Sequence, residues 1–130
     1  MLADVPCSGT GTLARNPEIK WRLRAADLSD LQARQLAILS SAMKKVAIGG
    51  RLIYSTCSLE QEENEDVIET ALREDPSFHV LDCATEVERL RQEGELIWPE
   101  AASLSRGPFL RTIPGVHPCD GFFGAMLQKI

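Results

Sequence analysis

The sequence predicts an α/β domain whose sheet is largely parallel and closes with an antiparallel strand. Two observations lead to this class. Short apolar runs bounded by Gly, Pro and Ser alternate with segments whose apolar residues recur every three or four positions, as in strands that alternate with helices. Two further apolar runs end the chain with no helix between them, which favours an antiparallel strand at one side of the sheet.

The first part of the chain predicts a strand, a loop and a helix. The run "MLADV" meets Pro6 at once and predicts the end of a buried strand. Residues 7–17, "CSGTGTLARNP", predict a loop by their Gly, Ser and Pro content. Ser29 and Gln32 have the spacing of a capping box, and the apolar spacing beyond them predicts a helix from about Asp30 to Ala47.

The second part predicts further strands that alternate with helices. "RLIYST" is a strand, and Ser58 with Gln61 forms a second capping box ahead of an amphipathic helix. The apolar face of that helix contains Val67, Ile68, Ala71 and Leu72. "FHVL" is the next strand, and Thr85 with Glu88 starts a short helix. The pattern is weak from Gly94 to Gly107, and "FLRTIP" and "GFFGAMLQKI" form the closing strands.

Length and composition are those of one soluble domain. The chain has 130 residues and a net charge of −5, and no run of about 18 apolar residues is present to cross a membrane. A cytoplasmic location is therefore the default expectation. The four cysteines contain no CxxC pair and the two histidines are isolated, so we expect neither a metal site nor a disulfide framework.

Charge is unevenly distributed along the chain. Eight of the acidic side chains lie within residues 60–75, whereas the stretch "ARNPEIKWRLR" is basic. Its side chains include Arg15, Lys20, Trp21, Arg22 and Arg24. A basic cluster around an aromatic ring can hold phosphates and stack on a base, which makes this stretch a candidate RNA-binding surface. A solvated surface loop is the alternative interpretation.

Two cysteines follow two predicted strands. Ligands bind beyond the carboxyl ends of the strands in open α/β sheets, and both Cys7 and Cys57 fall there. If the strands are neighbours, the two sulfurs face one cleft, and Cys57 also precedes a predicted helix N-terminus. Each cysteine alone could be a buried packing residue. A hydrolase pairing of Cys57 with His117 would leave Asp4 and Cys7 without a role, and no phosphate-binding loop motif is present.

Three stretches together carry a family resemblance. "DVPCSGTG", then "STCSLEQEENE", then "HPCDGFFGAML" resemble the RNA 5-methylcytosine methyltransferases of the Sun or RsmB group, with further similarity at "RNPEIKWRL". The resemblance implies a Rossmann-like class I methyltransferase sheet that uses S-adenosylmethionine. It also implies RNA, most naturally ribosomal RNA, as the substrate.

The resemblance further implies a role for each site residue. Cys57 would attack C6 of cytosine, because a thiolate is well suited to that addition, and C5 would then accept the methyl group. Asp4 would hold the base edge and lie beside the methyl donor, and Cys7 would assist release of the product. DNA cytosine-C5 methyltransferases instead use the Pro-Cys cysteine as nucleophile, and the second motif, "STCS", favours RNA and Cys57.

The sequence departs from the family pattern in one respect. It begins at the fourth strand of the methyltransferase sheet, so residues 1–130 form a single partial domain without the glycine-rich cofactor loop. We therefore expect most of the cofactor site upstream, an inactive chain in isolation, and possible self-association of the exposed half-sheet. The alternative function is a noncatalytic methyltransferase-like module that binds RNA or protein through residues 15–24.

Overall fold

A computed structural model describes residues 1–130 and contains one six-stranded sheet. The strands are β1 (Leu2–Asp4), β2 (Arg51–Thr56), β3 (Phe78–Leu81), β4 (Ser105–Arg106), β5 (Phe109–Thr112) and β6 (Phe122–Lys129). The helices are α1 (Ile19–Arg22), α2 (Ala25–Met43), α3 (Glu65–Glu74) and α4 (Cys83–Gln92). No helix is both long enough and apolar enough to span a membrane.

The predicted α/β class is confirmed. Strands β1, β2 and β3 run in one direction, and β1 pairs directly with β2 in parallel. The predicted antiparallel closing strand is β6, which lies inside the sheet and not at one side. One edge of β6 pairs with β2, and the other pairs with β5 near its start and with β3 near its end. An interior position explains why this strand is apolar on both faces.

The core lies on one face of the sheet. Alternate residues of β2, Leu52 and Tyr54, are buried with the apolar faces of α2 and α3, as are Phe123 and Leu127 of β6. Helix α4 lies over part of the opposite face. Together with that face it lines an apolar cavity of about 590 Å³. One face is thus fully covered, whereas the other is only partly covered.

The helices begin at positions other than those predicted. Helix α2 begins five residues before Asp30, and its first turn is closed by Asp27, whose carboxylate accepts from the Arg24 backbone N–H at 2.8 Å. The Ser29 capping box is therefore wrong. The Ser58 box is also wrong, because α3 begins at Glu65 after a 3₁₀ turn at Gln61–Glu63.

Helix α4 likewise begins before the predicted Thr85. Asp82 caps it by accepting a hydrogen bond from the Ala84 N–H at 2.9 Å. In both α2 and α4 the residue that closes the first turn is an aspartate that the capping-box pattern does not single out. The weakly patterned stretch before Gly107 contains a 3₁₀ turn at Ala101–Leu104 and the short strand β4.

Candidate active site

The two cysteines that follow the neighbouring strands β1 and β2 lie in direct contact. Parallel pairing sets Asp4 of β1 opposite Ser55 of β2, so both strands end at the same edge of the sheet. Cys7 and Cys57 follow these ends, and their Sγ atoms are 3.3 Å apart although fifty positions separate them in the chain. Both are free thiols and both are partly exposed. The topology therefore brings the two thiols together, as expected if their strands are neighbours.

The environment of Cys7 favours the neutral thiol. Burial, followed by the hydrogen bond to the Cys57 sulfur, raises the pKa of Cys7 from 9.0 to about 12. Backbone hydrogen bonds from Cys57 and Gly9 oppose this rise without cancelling it. Because this pKa lies far above 7, Cys7 carries its proton at neutral pH and can donate a hydrogen bond to the adjacent sulfur.

The prediction that Cys57 directly precedes a helix N-terminus is wrong. The α-helix begins only at Glu65, and residues 58–60 form an irregular connection. This connection is held in place by side chains. Thr10 Oγ1 accepts a hydrogen bond from the Leu59 N–H at 2.9 Å, and Ser58 Oγ accepts one from the Glu60 N–H at 3.0 Å.

A third segment contacts both cysteine loops through glycines. The Gly11 N–H donates to the Cys57 carbonyl at 2.9 Å, and the Gly121 N–H donates to the Gly11 carbonyl at 2.8 Å. A Cβ on Gly11 would lie 2.3 Å from the Gly121 oxygen, and one on Gly121 would lie 2.8 Å from the Gly11 Cα. These backbones can approach only without side chains. The contact explains why "CSGTG", "STCS" and "CDGFF" occur together.

Asp4 lies at the same edge of the sheet but faces a different cavity. Its Oδ1 accepts a hydrogen bond from Ser55 Oγ at 2.8 Å. Its side chain borders the 590 Å³ cavity, whose lining also includes Leu2 and Ile53. Phe122 borders both this cavity and the one beside Cys57, so the two cavities meet at this residue. Asp4 can therefore present its second carboxylate oxygen to a ligand on the open face of the sheet.

A second cavity, of about 480 Å³, opens beside Cys57. Arg15 and Asp120 lie on its wall, and their side chains form a salt bridge with an N–O distance of 2.5 Å. The Arg15 side chain is still 70% exposed. Its guanidinium can therefore contact an anion at the mouth of this cavity. Of the predicted RNA-binding residues, Arg15 is the one that the structure brings to Cys57.

The other basic candidates lie on α1 and the adjoining loop. Trp21 is 82% exposed, and Lys20 Nζ is 5.4 Å from the centre of its ring. Arg22 lines a small cavity with Ser8, which follows Cys7. This arrangement leaves an aromatic face and positive charges exposed near the loop that contains Cys7.

His117 does not contact either cysteine. Its Nδ1 accepts a hydrogen bond from the Ile113 N–H at 2.9 Å, and its Nε2 lies 3.2 Å from Ser103 Oγ. The ring is buried and packs edge-on against Trp98. The alternative pairing of Cys57 with His117 is therefore wrong, and this histidine supports the loop before β6.

Sequence reasoning missed the polar residues behind the cysteines. Glu63 is fully buried, and its carboxylate contacts Ser8 and Ser58, the residues that directly follow Cys7 and Cys57. A signal for this arrangement is present in the sequence, because the dipeptide Cys-Ser occurs in both motifs. Glu63 belongs to an acidic run, and its sequence context does not distinguish it from the neighbouring acidic residues that are exposed or partly exposed.

Comparison with known proteins identifies relatives that match nearly the whole chain. The profile of the family described as 16S rRNA methyltransferase RsmB/F matches residues 1–128. Ribosomal RNA small subunit methyltransferase B from Salmonella paratyphi B is 35% identical over 129 residues, which are 99% of this chain. Those residues are 26% of the relative, so the chain spans about a quarter of the curated relatives it matches.

Two solved structures share the fold. The crystal structure of PH0851 has a TM-score of 0.80 and 34% sequence identity, and the match covers 98% of this chain and 26% of that one. A methyltransferase homolog protein from Pyrococcus horikoshii has a TM-score of 0.68 and 29% identity, with coverage of 99% and 38%. The fold described above is thus similar to part of a longer chain in each of these proteins.

Proposed function

The chain belongs to the 16S rRNA methyltransferase RsmB/F family, and we propose that it forms the cysteine-bearing part of an enzyme that methylates C5 of cytosine in ribosomal RNA. One observation carries this proposal. Two thiols from separate loops lie 3.3 Å apart at the carboxyl ends of neighbouring parallel strands. The family name supports ribosomal RNA as the substrate, and the paired thiols support covalent chemistry at the base.

Cys57 is the proposed nucleophile. Its thiolate adds to C6 of cytosine. The S–C6 bond forms, the C5–C6 double bond opens, and the electrons that move into the ring make C5 a nucleophile. S-adenosylmethionine, when bound, supplies the methyl group. Loss of the C5 proton to water and cleavage of the S–C6 bond then restore the ring and release Cys57.

Cys7 is the proposed hydrogen-bond donor for that release. Its raised pKa keeps the proton on the sulfur at neutral pH, and the 3.3 Å contact directs that proton toward Cys57. A hydrogen bond to the departing sulfur stabilises it as negative charge develops there. Burial of Cys7, which raises the pKa of its thiol, disfavours the opposite assignment with Cys7 as the nucleophile.

Asp4 is the proposed contact for the base edge and the methyl donor. Its exposed carboxylate borders an open cavity and is oriented by Ser55, which fits a ligand that offers hydrogen-bond donors. The remaining contacts to the cofactor belong, in this proposal, to other segments of the longer protein. Those segments would also complete residues 1–130 into a full methyltransferase domain and cover the open face of the sheet.

The basic surface is the proposed path of the RNA. Arg15 at the cavity mouth would bind a phosphate near the target nucleotide, and Lys20 and Arg22 would hold the flanking backbone. Trp21 offers an exposed face for stacking. The same surface supports the alternative function, a noncatalytic module that binds RNA.

The test uses variants of the two cysteines in the longer enzyme. Cys57→Ser is expected to abolish methyl transfer and the covalent adduct, because serine has no comparable anion at neutral pH. Cys7→Ala removes the hydrogen-bond donor to the leaving sulfur, so turnover should fall and an adduct between protein and RNA should accumulate. A denaturing gel with labelled RNA measures the adduct in each variant.

The outcomes separate the assignments. An adduct that persists in Cys57→Ser and vanishes in Cys7→Ala would reverse the two roles. Full methylation by both variants would overturn the catalytic proposal. RNA binding retained by a wild-type protein that neither methylates RNA nor forms an adduct would favour the noncatalytic module.

A further inference from the structure

Glu63 connects the two cysteine loops from inside the protein. We propose that Glu63 is a positioning residue that sets the separation of the Cys7 and Cys57 sulfurs through the serine that follows each cysteine. The catalytic consequence of this inference rests on the proposed function. The positioning itself does not, since it concerns the two thiols in the absence of RNA and cofactor.

The carboxylate of Glu63 accepts hydrogen bonds from both loops. Ser8 donates twice, from its backbone N–H to Oε1 at 2.8 Å and from its hydroxyl to Oε2 at 2.5 Å. Ser58 donates its hydroxyl to the same Oε2 atom. One carboxylate oxygen therefore binds the hydroxyls of the two Cys-Ser dipeptides, and this fixes one loop relative to the other.

Glu63 is itself held by rigid elements of the fold. Gln35 of α2 donates from Nε2 to Glu63 Oε1 at 3.0 Å and also to the Pro6 carbonyl at 2.8 Å. Tyr54 of β2 donates its hydroxyl to the Glu63 carbonyl at 2.6 Å. These hydrogen bonds anchor Glu63 to a helix and to the central part of the sheet. Through Gln35 they also hold Pro6, the residue before Cys7, in addition to Ser8, the residue after it.

The neighbouring Asn64 fixes the other side of Cys57. Its Oδ1 accepts from Thr56 Oγ1 at 2.6 Å, and its Nδ2 donates to the Ser58 carbonyl at 2.9 Å. Thr56 and Ser58 flank Cys57 directly, so the backbone on both sides of this cysteine is held. Glu63 and Asn64 together restrict the position of Cys57, and Glu63 alone relates that position to Cys7.

Burial and charge argue against two other roles. The Glu63 side chain is fully buried, so it cannot touch RNA or a cofactor. An apolar side chain of similar volume would fill the same space without the cost of burying a carboxylate. What the carboxylate adds is its capacity to accept four hydrogen bonds, three of which come from the cysteine loops.

The direct test measures how readily the two sulfurs form a disulfide. The chain is equilibrated with reduced and oxidised glutathione, so that oxidised glutathione accepts the two electrons and the two thiols lose their protons. The ratio of oxidised to reduced chain then gives the effective concentration that the Cys7 and Cys57 thiols present to each other. Cys83→Ala and Cys119→Ala form the background, so only Cys7 and Cys57 can pair.

Glu63→Gln is the principal variant and Glu62→Gln is its matched control. Gln keeps the size of the side chain but places an NH₂ group where Oε2 accepts the two serine hydroxyls. The effective concentration is expected to fall about tenfold, as for the loss of charge-assisted hydrogen bonds. Glu62 is exposed and its carboxylate makes no hydrogen bond, so its variant should match the wild type. Equal values for folded Glu63→Gln and Glu62→Gln would overturn the inference.

Ser58→Ala and Ser8→Ala keep the test decisive if Glu63→Gln does not fold. Each removes one hydroxyl that donates to Glu63 and leaves the buried carboxylate in place. Each should lower the effective concentration about threefold. Unchanged values in both serine variants would also overturn the inference.

Kinetics in the longer enzyme supply an independent readout. Glu63→Gln should lower kcat about tenfold and leave the KM for RNA unchanged, because Glu63 touches neither RNA nor cofactor. An increase in KM at constant kcat would contradict a positioning role. If the wild-type enzyme transfers no methyl group, the proposed function fails while the glutathione equilibrium still decides the role of Glu63.

Discussion

The two faces of β2 differ in how completely they are covered by this chain. Leu52 and Tyr54 point into the core and are fully buried, whereas Ile53 between them points to the other face and is 44% exposed. Leu2, which pairs with Ile53 in the parallel ladder, is 66% exposed. The covered face contains the hydrophobic core, whereas the open face leaves apolar side chains exposed.

The two faces also hold different parts of the candidate site. Tyr54 and Thr56 on the covered face bind Glu63 and Asn64 and so hold the cysteine connections. Asp4 and Ser55 on the open face border the large cavity. The positions of the side chains behind the thiols are thus set by packing, whereas the side proposed for ligands stays open.

The largest expected effect comes from truncating the covered face. Leu52→Ala should lower the free energy of unfolding by about 2 to 5 kcal/mol, because it opens a cavity in a closely packed core. Ile53→Ala on the same strand is the matched control and should cost less than about 1 kcal/mol. Urea unfolding followed by circular dichroism measures both. Equal losses would show that the open face contributes as much as the core.

A smaller effect is expected from one polar contact on the covered face. Tyr54→Phe keeps the ring but removes the hydroxyl that donates to the Glu63 carbonyl at 2.6 Å. The carbonyl is left buried without this partner, so the free energy of unfolding should fall by about 1 to 3 kcal/mol. The same urea titration measures the loss, and an unchanged midpoint would mean that water replaces the hydroxyl.

The smallest effect on stability is expected on the open face. Ile53→Lys should change the free energy of unfolding by about 0.5 kcal/mol or less, because the side chain is partly in water already. Its effect on association should be large, because the charge interrupts the apolar surface. Sedimentation velocity over a range of concentrations should show less self-association than for the wild type, and Arg51→Lys on the same face should leave it unchanged. A wild-type chain that remains monomeric throughout would remove the basis for this prediction.

Much of the fold follows from patterns of near neighbours in the sequence. The predicted strands "RLIYST", "FHVL", "FLRTIP" and "GFFGAMLQKI" are confirmed as β2, β3, β5 and β6, of which the last two are slightly shorter than predicted. The apolar face Val67, Ile68, Ala71 and Leu72 packs in the core as predicted. The exact residues at which the helices begin do not follow from such patterns. Asp27 and Asp82 make the capping hydrogen bonds in place of the predicted residues, and the Ser58 hydroxyl donates to Glu63 instead.

The sequence by itself determined the α/β class and the placement of Cys7 and Cys57 after two strands, because periodicity and turn residues act over a few positions. Only the tertiary structure decided that β6 lies between β2 and β3, and that Glu63 is buried where its neighbour Glu62 is exposed. A carboxylate in an acidic run has the same local signal whether it faces water or the core. The hydrogen bonds that distinguish Glu63 come from Ser8, fifty-five positions away, and from Gln35, twenty-eight positions away, so they exist only once the chain has folded.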